Sequence, residues 1–217
     1  MTFGNKFMDL LYGRDGDRAL ISSFFGFGLI QTWATMLYKT AIVFPLSVSP
    51  AIAPTGFRIA SYAIQAVTML FLFVYIQKRE ALASSIERLC IIGCSLGPIG
   101  ALVLYASSFL AGAASAALSC LGWAMSAIAM GALYLLWIWL FSGMRTRALC
   151  MYLSGSMLLG ACITLLLCNV PTLLAVLATA LLPMVSGICV LRSNMRKDEI
   201  ENSESVEDSS EPIIEDN

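Results

Sequence analysis

The chain alternates long apolar runs with short charged clusters. Between Arg88 and Arg192, for example, the only formal charges are Arg145 and Arg147. An α-helix needs about 20 apolar residues to cross the hydrocarbon core of a bilayer. The pattern therefore predicts an all-α integral membrane protein with six transmembrane helices. The predicted spans are 19–46, 55–77, 89–111, 114–141, 148–168 and 170–191.

The basic residues indicate how these spans are oriented. All lysines and arginines except Lys39 and Arg58 lie in the N-terminal segment, in the connections after spans two and four, or in the C-terminal tail. Basic loop residues mark the cytoplasmic side of a membrane protein, so both termini are expected in the cytoplasm. The expected location is the inner (plasma) membrane, crossed several times. Residues 1–18 are then a cytoplasmic segment and residues 19–191 the transmembrane domain.

The C-terminal segment 192–217 has a different composition. Nine acids and four serines, with no basic residue, lie between Asp198 and Asn217. Such a segment cannot bury enough apolar surface to fold alone, so 192–217 is expected to be a disordered, acidic cytoplasmic tail. It is either a solvated tail or a docking or regulatory segment.

The amino-acid composition and the absence of known motifs argue against a metal site or a catalytic site. Only 12% of the residues are charged, against roughly a quarter in a soluble domain, which agrees with a membrane protein. The chain has no histidine, and its seven cysteines fall in apolar spans without a nearby carboxylate, so a metal site has little support. No Walker loop, GxSxG, HExxH or CxxC signature is present. We expect no catalytic residues, no metal, no cofactor and no enzymatic activity.

Two cations, Lys39 and Arg58, lie inside predicted spans. Lys39 follows Arg18 by 21 residues and Arg58 precedes Lys78 by 20. At about 1.5 Å per residue, each lies about 30 Å from the inner surface and therefore near the outer boundary of the membrane. One interpretation is that both side chains snorkel to the phosphates of the outer headgroups.

The alternative is a polar cavity between spans one and two. Polar or small residues recur at helical spacing inward from each cation. A polar stripe facing lipid would leave amide groups unsatisfied, so both stripes are expected to line one cavity with the cations at its mouth. The stripes are Gly28, Thr32, Thr35 and Lys39 on span one, bordered by Gln31, and Arg58, Ser61, Gln65 and Thr68 on span two.

The absence of acids from the six predicted spans bears on both ligand and mechanism. Two unpaired cations favour an anionic ligand such as a carboxylate or a phenolate. Proton-coupled carriers relay protons through intramembrane Asp, Glu or His, so proton-coupled transport is not favoured here. The candidate ligand-binding residues are Lys39, Arg58, Gln31, Thr35, Ser61 and Gln65.

The six-helix layout with both ends in the cytoplasm resembles half of a major facilitator superfamily transporter. The connection YIQKREALASSIERL lacks the glycine, the aspartate and the second basic pair of that superfamily's motif. The stretch FGFGLIQTWATMLYKTAIVFP in span one resembles more closely the first helix of membrane-anchored LuxR-type regulators. The matching residues are Gly26, Phe27, Gly28, Leu29, Trp33, Phe44 and Pro45.

That resemblance implies a facilitator-like membrane region that detects a small molecule and signals to a DNA-binding domain. No helix-turn-helix domain follows the six predicted helices, so we expect no direct nucleic-acid binding by this chain. The expected function is a non-enzymatic sensor module, or half of one, linked to transcription through a partner. The alternative is a half-size facilitator-like transporter that acts as a dimer. The expected partners are the lipid bilayer, a small-molecule ligand, and a second copy of the chain or a second six-helix half.

Overall fold

The computed structural model describes residues 20–40, 54–77, 82–142 and 146–208, where every regular element is an α-helix. The all-α fold class is therefore confirmed for this part of the chain. The helices, in chain order, are α1 Leu20–Tyr38, α2 Pro54–Gln77, α3 Leu82–Ser107, α4 Gly112–Ser142, α5 Thr146–Cys168 and α6 Thr172–Asp208.

Within the part of the chain that the structure describes, four helices are long and apolar enough to cross a membrane. Large hydrophobic side chains also cover the outside of the bundle, and Phe71 and Leu166, for example, are each 69% exposed. An apolar exterior around backbone that is hydrogen-bonded within helices is what a bilayer requires. The stretches long enough to span are Ile86–Ser107, Gly112–Ser142, Leu149–Cys168 and Thr172–Arg192, and α2 adds the shorter apolar stretch Ile59–Tyr75.

Contacts between helices show that their directions alternate. The ring of Tyr38, at the end of α1, lies 5.1 Å from that of Trp123 in the first half of α4. Phe27, in the first half of α1, contacts Phe141 at the end of α4. These two contacts make α1 and α4 antiparallel. Close approaches elsewhere make α3 antiparallel to α4 and α6, and α5 parallel to α1.

The order of packing leaves one gap in the bundle. Helix α1 packs between α5 and α6, α3 packs between α6 and α4, and α2 packs on the other side of α4. Over their described residues, α1 and α2 have no extended contact with each other. The buried core, which includes Trp33, Met130, Leu133 and Trp137, therefore lies between α1, α3, α4 and α6. A cleft separates α1 from α2.

Helix α1 ends at Tyr38, earlier than the predicted end of span one at residue 46. Lys39 lies in a turn, where its N–H donates to the carbonyl oxygen of Thr35 over 2.9 Å. The Thr40 hydroxyl donates to the carbonyl oxygen of Met36 over 2.6 Å. These bonds satisfy carbonyl groups that a helix end would otherwise leave unpaired. Residues 41–46 of the predicted span lie outside the described residues.

Helix α6 continues to Asp208, well beyond the predicted end of span six at residue 191. The expectation of disorder over 192–217 is therefore corrected for 192–208, whose backbone is helical. The sequence contains no glycine or proline between Gly187 and Asp208, so no strong helix breaker interrupts α6 over this interval. Residues 1–18 and 209–217 lie outside the described residues.

Candidate functional site

An open cleft lies between α1 and α2, with α4 at its base. Its volume is about 500 Å³, within the range of small-molecule sites. The lining is mainly apolar and aromatic, with a few polar groups, as is usual for such sites. The lining residues are Gln31, Ala34, Thr35, Tyr38 and Lys39 from α1 and its C-terminal turn, Tyr62, Gln65, Ala66 and Met69 from α2, and Met130, Tyr134 and Ile138 from α4.

Four of the six candidate ligand-binding residues line this cleft. Gln31, Thr35 and Lys39 are four residues apart, so they lie on one face of α1 and the turn that follows it. Gln65 faces the same cleft from α2. Lys39 is exposed at the mouth, whereas the other three are partly buried. The structure thus brings polar residues of two helices to a single site.

The remaining two candidates differ from this arrangement. Ser61 is 1% exposed and shares a hydrogen bond of 2.6 Å with the Tyr38 hydroxyl, so it joins α2 to α1 and does not line the cleft. Arg58 belongs to α2, but its side chain lies outside what the structure describes. Among the described side chains, Lys39 is therefore the cation at the mouth.

The predicted stripe on α1 divides between two surroundings. The Thr32 hydroxyl donates to the carbonyl oxygens of Gly28 (2.9 Å) and Gly160 (3.1 Å), and Thr32 is fully buried. A Cβ added at Gly28 would lie 3.1 Å from the carbonyl oxygen of Ser156. Both residues therefore pack α1 against α5, as small residues do where membrane helices approach closely. The expectation that the whole stripe lines the cavity is wrong for these two positions.

Aromatic rings form one wall of the cleft. Tyr38 stacks on Tyr62, with ring centroids 4.9 Å apart and an interplanar angle of 16°. The ring of Trp123 lies 5.1 Å from Tyr38. Tyr38 is 3% exposed and Tyr62 is 52% exposed, so accessible ring surface belongs to Tyr62. A flat apolar group can stack against such a ring.

Sequence patterns did not indicate the aromatic and sulfur-containing residues of the cleft. Tyr38 and Tyr62 are adjacent in sequence to predicted candidates, and this adjacency is the signal that could have drawn attention to them. Tyr134 and Met130 belong to α4, more than 60 residues further along the chain. No local pattern relates them to α1 and α2, and only the packing of α4 brings them to the cleft.

Two glutamines bring amide groups into the cleft. Gln31 of α1 lines the cleft together with Tyr134 of α4. The side-chain oxygen of Gln65 is buried, and it has no hydrogen-bond partner among the described residues. A buried acceptor without a partner costs about 1–3 kcal/mol. Gln65 therefore favours a bound group that donates a hydrogen bond.

The charge of the cleft favours anions. Lys39 is the charged side chain among the described lining residues, and no carboxylate accompanies it there. An ammonium group without an acidic neighbour can form charge-assisted hydrogen bonds with a ligand carboxylate or phenolate. Among the described residues, no group of three His, Cys, Asp or Glu side chains could hold a metal ion. The arrangement suits reversible binding of a small, partly apolar anion.

Comparisons with protein-family models, with curated proteins and with solved structures find no match to this chain. The resemblance of span one to the first helix of LuxR-type regulators remains a prediction. Function is therefore inferred from the geometry and chemistry of the cleft.

Proposed function

We propose that this chain is the membrane module of a non-enzymatic small-molecule sensor, or half of such a module. The observation that carries the proposal is the cleft in which Gln31, Thr35, Lys39 and Gln65 converge beside stacked tyrosines. Its volume and its cation suit a small anion. Its described lining residues include no histidine, cysteine or carboxylate to act as nucleophile or general base, which favours binding over chemical conversion.

In the proposed topology all six helices span the plasma membrane and both termini are cytoplasmic. The alternating directions of the helices support six crossings. The basic residues in the connections after α2 and α4 support the orientation. Lys39 then lies at the outer end of α1, and the ligand enters from the outer side of the membrane.

The proposed link to transcription rests on the resemblance of span one to LuxR-type regulators. A Cβ added at Gly26 would lie 2.5 Å from the Cβ of Cys189, and Trp33 is fully buried. These matching residues therefore pack α1 into the bundle, while Phe44 and Pro45 lie outside the described residues. In this proposal the signal would reach DNA through a partner. The partner is a second copy, or a second six-helix half, associated with a DNA-binding domain.

The alternative function is a half-size facilitator-like transporter that acts as a dimer. The cleft favours it because it opens on one side of a six-helix bundle, and transporter sites lie at the interface of two repeats. The described cleft residues, however, include no aspartate, glutamate or histidine for a proton relay. This observation favours the sensor over a proton-coupled carrier.

Binding and transport can be separated with the purified full chain. In lipid nanodiscs, titration calorimetry with aromatic and aliphatic carboxylates is expected to show saturable binding. Lys39→Gln should weaken this binding about tenfold by removing a charge-assisted hydrogen bond. Arg192→Gln, which removes an exposed cation outside the cleft, is the matched control and should leave the affinity unchanged.

The same acids should show no uptake into proteoliposomes that contain the wild-type chain. Saturable uptake would support the transporter and contradict the sensor. If no carboxylate binds, or if Lys39→Gln and Arg192→Gln weaken binding equally, the cleft is not the anion site.

A further inference from the structure

We infer that the cleft takes a planar aromatic carboxylate with a hydroxyl or N–H donor on the side of the ring away from the carboxylate. The inference rests on the proposed binding function and goes further by naming the class of ligand. Lys39, Tyr62 and Gln65 all line the same cleft, so one molecule can contact all three.

Tyr62 provides the surface for the ring. It is held on one side by stacking against the buried Tyr38, yet about half of its surface remains accessible. Met69 and Met130 also line the cleft, and thioethers make favourable contacts with aromatic rings. A flat ring can therefore stack on Tyr62 and contact the partly buried Met69 side chain, whereas a puckered aliphatic ring offers less contact with either.

The side chain of Gln65 is the reason for expecting a hydrogen-bond donor on the ligand. Gln65 lines the cleft, and its side-chain oxygen is buried without a hydrogen-bond partner among the described residues. Rotation of the amide group would turn this oxygen towards a ligand in the cleft. A carboxylate cannot satisfy this oxygen, because both are acceptors. The ligand group near Gln65 must therefore carry an O–H or N–H, while the negative group belongs near Lys39.

Helix geometry sets the separation between these two polar contacts. Tyr38 lies opposite Ser61, with their hydroxyl oxygens 2.6 Å apart. Gln65 is four residues further along α2, which corresponds to about 6 Å along the helix axis. Tyr38 contacts Ser61 of α2 and Trp123 of α4, and further along both helices Gln65 approaches Gly131. Helix α2 therefore runs parallel to α4 and antiparallel to α1, and Gln65 lies deeper in the cleft than Lys39. One aromatic ring with substituents at opposite ends bridges such a distance, and a short aliphatic acid does not.

Four compounds that differ by one feature each can test this assignment on the wild-type chain in nanodiscs of zwitterionic lipid. The reference is 4-hydroxybenzoate; benzoate lacks the donor, 4-hydroxybenzamide lacks the charge, and 4-hydroxycyclohexanecarboxylate lacks the flat ring. Titration calorimetry should find 4-hydroxybenzoate the tightest. Loss of the hydroxyl should weaken binding about fivefold and loss of the charge about tenfold.

One variant connects the hydroxyl preference with Gln65. In Gln65→Leu, 4-hydroxybenzoate and benzoate should bind with equal affinity, because the acceptor is gone. Thr68→Val is the matched control on the same helix, since Thr68 packs against Gly131 of α4 and does not line the cleft. Thr68→Val should keep the fivefold preference for the hydroxyl group.

The outcomes separate this inference from the proposed function. Equal, Lys39-dependent binding of all three acids would overturn the aromatic assignment and leave anion binding intact. A hydroxyl preference that persists in Gln65→Leu would overturn the role of Gln65. Binding of aliphatic acids alone would also overturn the inference, whereas failure of every carboxylate, aromatic or aliphatic, would remove the proposed function itself.

Discussion

The hydroxyl groups of Tyr38 and Ser61 lie 2.6 Å apart, and both residues are buried. Their hydrogen bond joins α1 to α2, two helices that otherwise face each other across the cleft. Tyr38 also stacks on Tyr62, so the same side chain connects the helices and forms part of the wall. The position of α2, and with it the width of the cleft, depends on this contact.

A double-mutant cycle with Tyr38→Phe and Ser61→Ala should therefore show coupling. Interhelical hydrogen bonds in membranes average about 0.6 kcal/mol in such cycles, and a coupling of this size is expected here. Thermal unfolding of the purified variants in one detergent measures it. Ser142→Ala combined with Tyr38→Phe is the control, because Ser142 is exposed at the far end of α4 and should act additively. Additive effects of Tyr38→Phe and Ser61→Ala would contradict a structural role for the bond.

Thr32 and Thr35 provide a matched pair less than one turn apart. Thr32→Val removes the hydrogen bond that the buried Thr32 hydroxyl shares between the backbone carbonyl oxygens of Gly28 and Gly160. It should lower the unfolding free energy by about 1 kcal/mol and leave ligand affinity unchanged. Thr35→Val should weaken ligand binding and leave the unfolding free energy unchanged, because Thr35 lines the cleft. Unfolding and calorimetric titration of both variants check this, and an equal effect of both on affinity would contradict the division of the stripe.

These two threonines also show where prediction from sequence ends. Periodicity placed them on one stripe, and they do lie near each other on α1. Three residues rotate the direction of a side chain by about 60° around the helix axis, enough to face a different neighbour. Which neighbour that is depends on the packing of α5, which a local pattern does not contain. The Thr32 side chain contacts α5, whereas Thr35 lines the cleft.

The apolar spans could be predicted from the sequence more closely than the helix ends or the residues of the cleft. The predicted span 148–168 agrees closely with the apolar stretch Leu149–Cys168, because length and lack of charge are local properties that every spanning helix must show. Helix ends depend on individual hydrogen bonds instead. The Thr40 hydroxyl that bonds to Met36 follows the end of α1, although the apolar run in the sequence continues. Tyr134 of the cleft was missed because α4 brings it there from a distant part of the chain.

Ser186 connects three helices, and its removal should be costly. Its hydroxyl accepts a hydrogen bond from Nε1 of Trp137 (3.0 Å) and donates one to the carbonyl oxygen of Gly26 (2.9 Å). Ser186→Ala would leave the buried indole N–H without this acceptor, at a cost of about 1–3 kcal/mol. Ser186→Ala should therefore unfold at a lower temperature than wild type, while Trp137→Phe combined with Ser186→Ala should lose less than the sum of the single changes. Strict additivity would contradict the shared network.

The proposed topology predicts which ends of the helices face the outside. Cys168 ends α5 and is exposed, and Ser142 is exposed at the opposite side of the bundle, where α4 ends. In a background with the other cysteines changed to alanine, a membrane-impermeant maleimide should label Cys168 in intact cells. With Cys168 also replaced, Ser142→Cys should react only after the membrane is permeabilised, because the arginines that follow α4 place that end in the cytoplasm.

The reverse labelling pattern would mean that the bundle has the opposite orientation, with Lys39 and the mouth of the cleft on the cytoplasmic side. Labelling of both positions in intact cells would show that α5 does not cross the membrane.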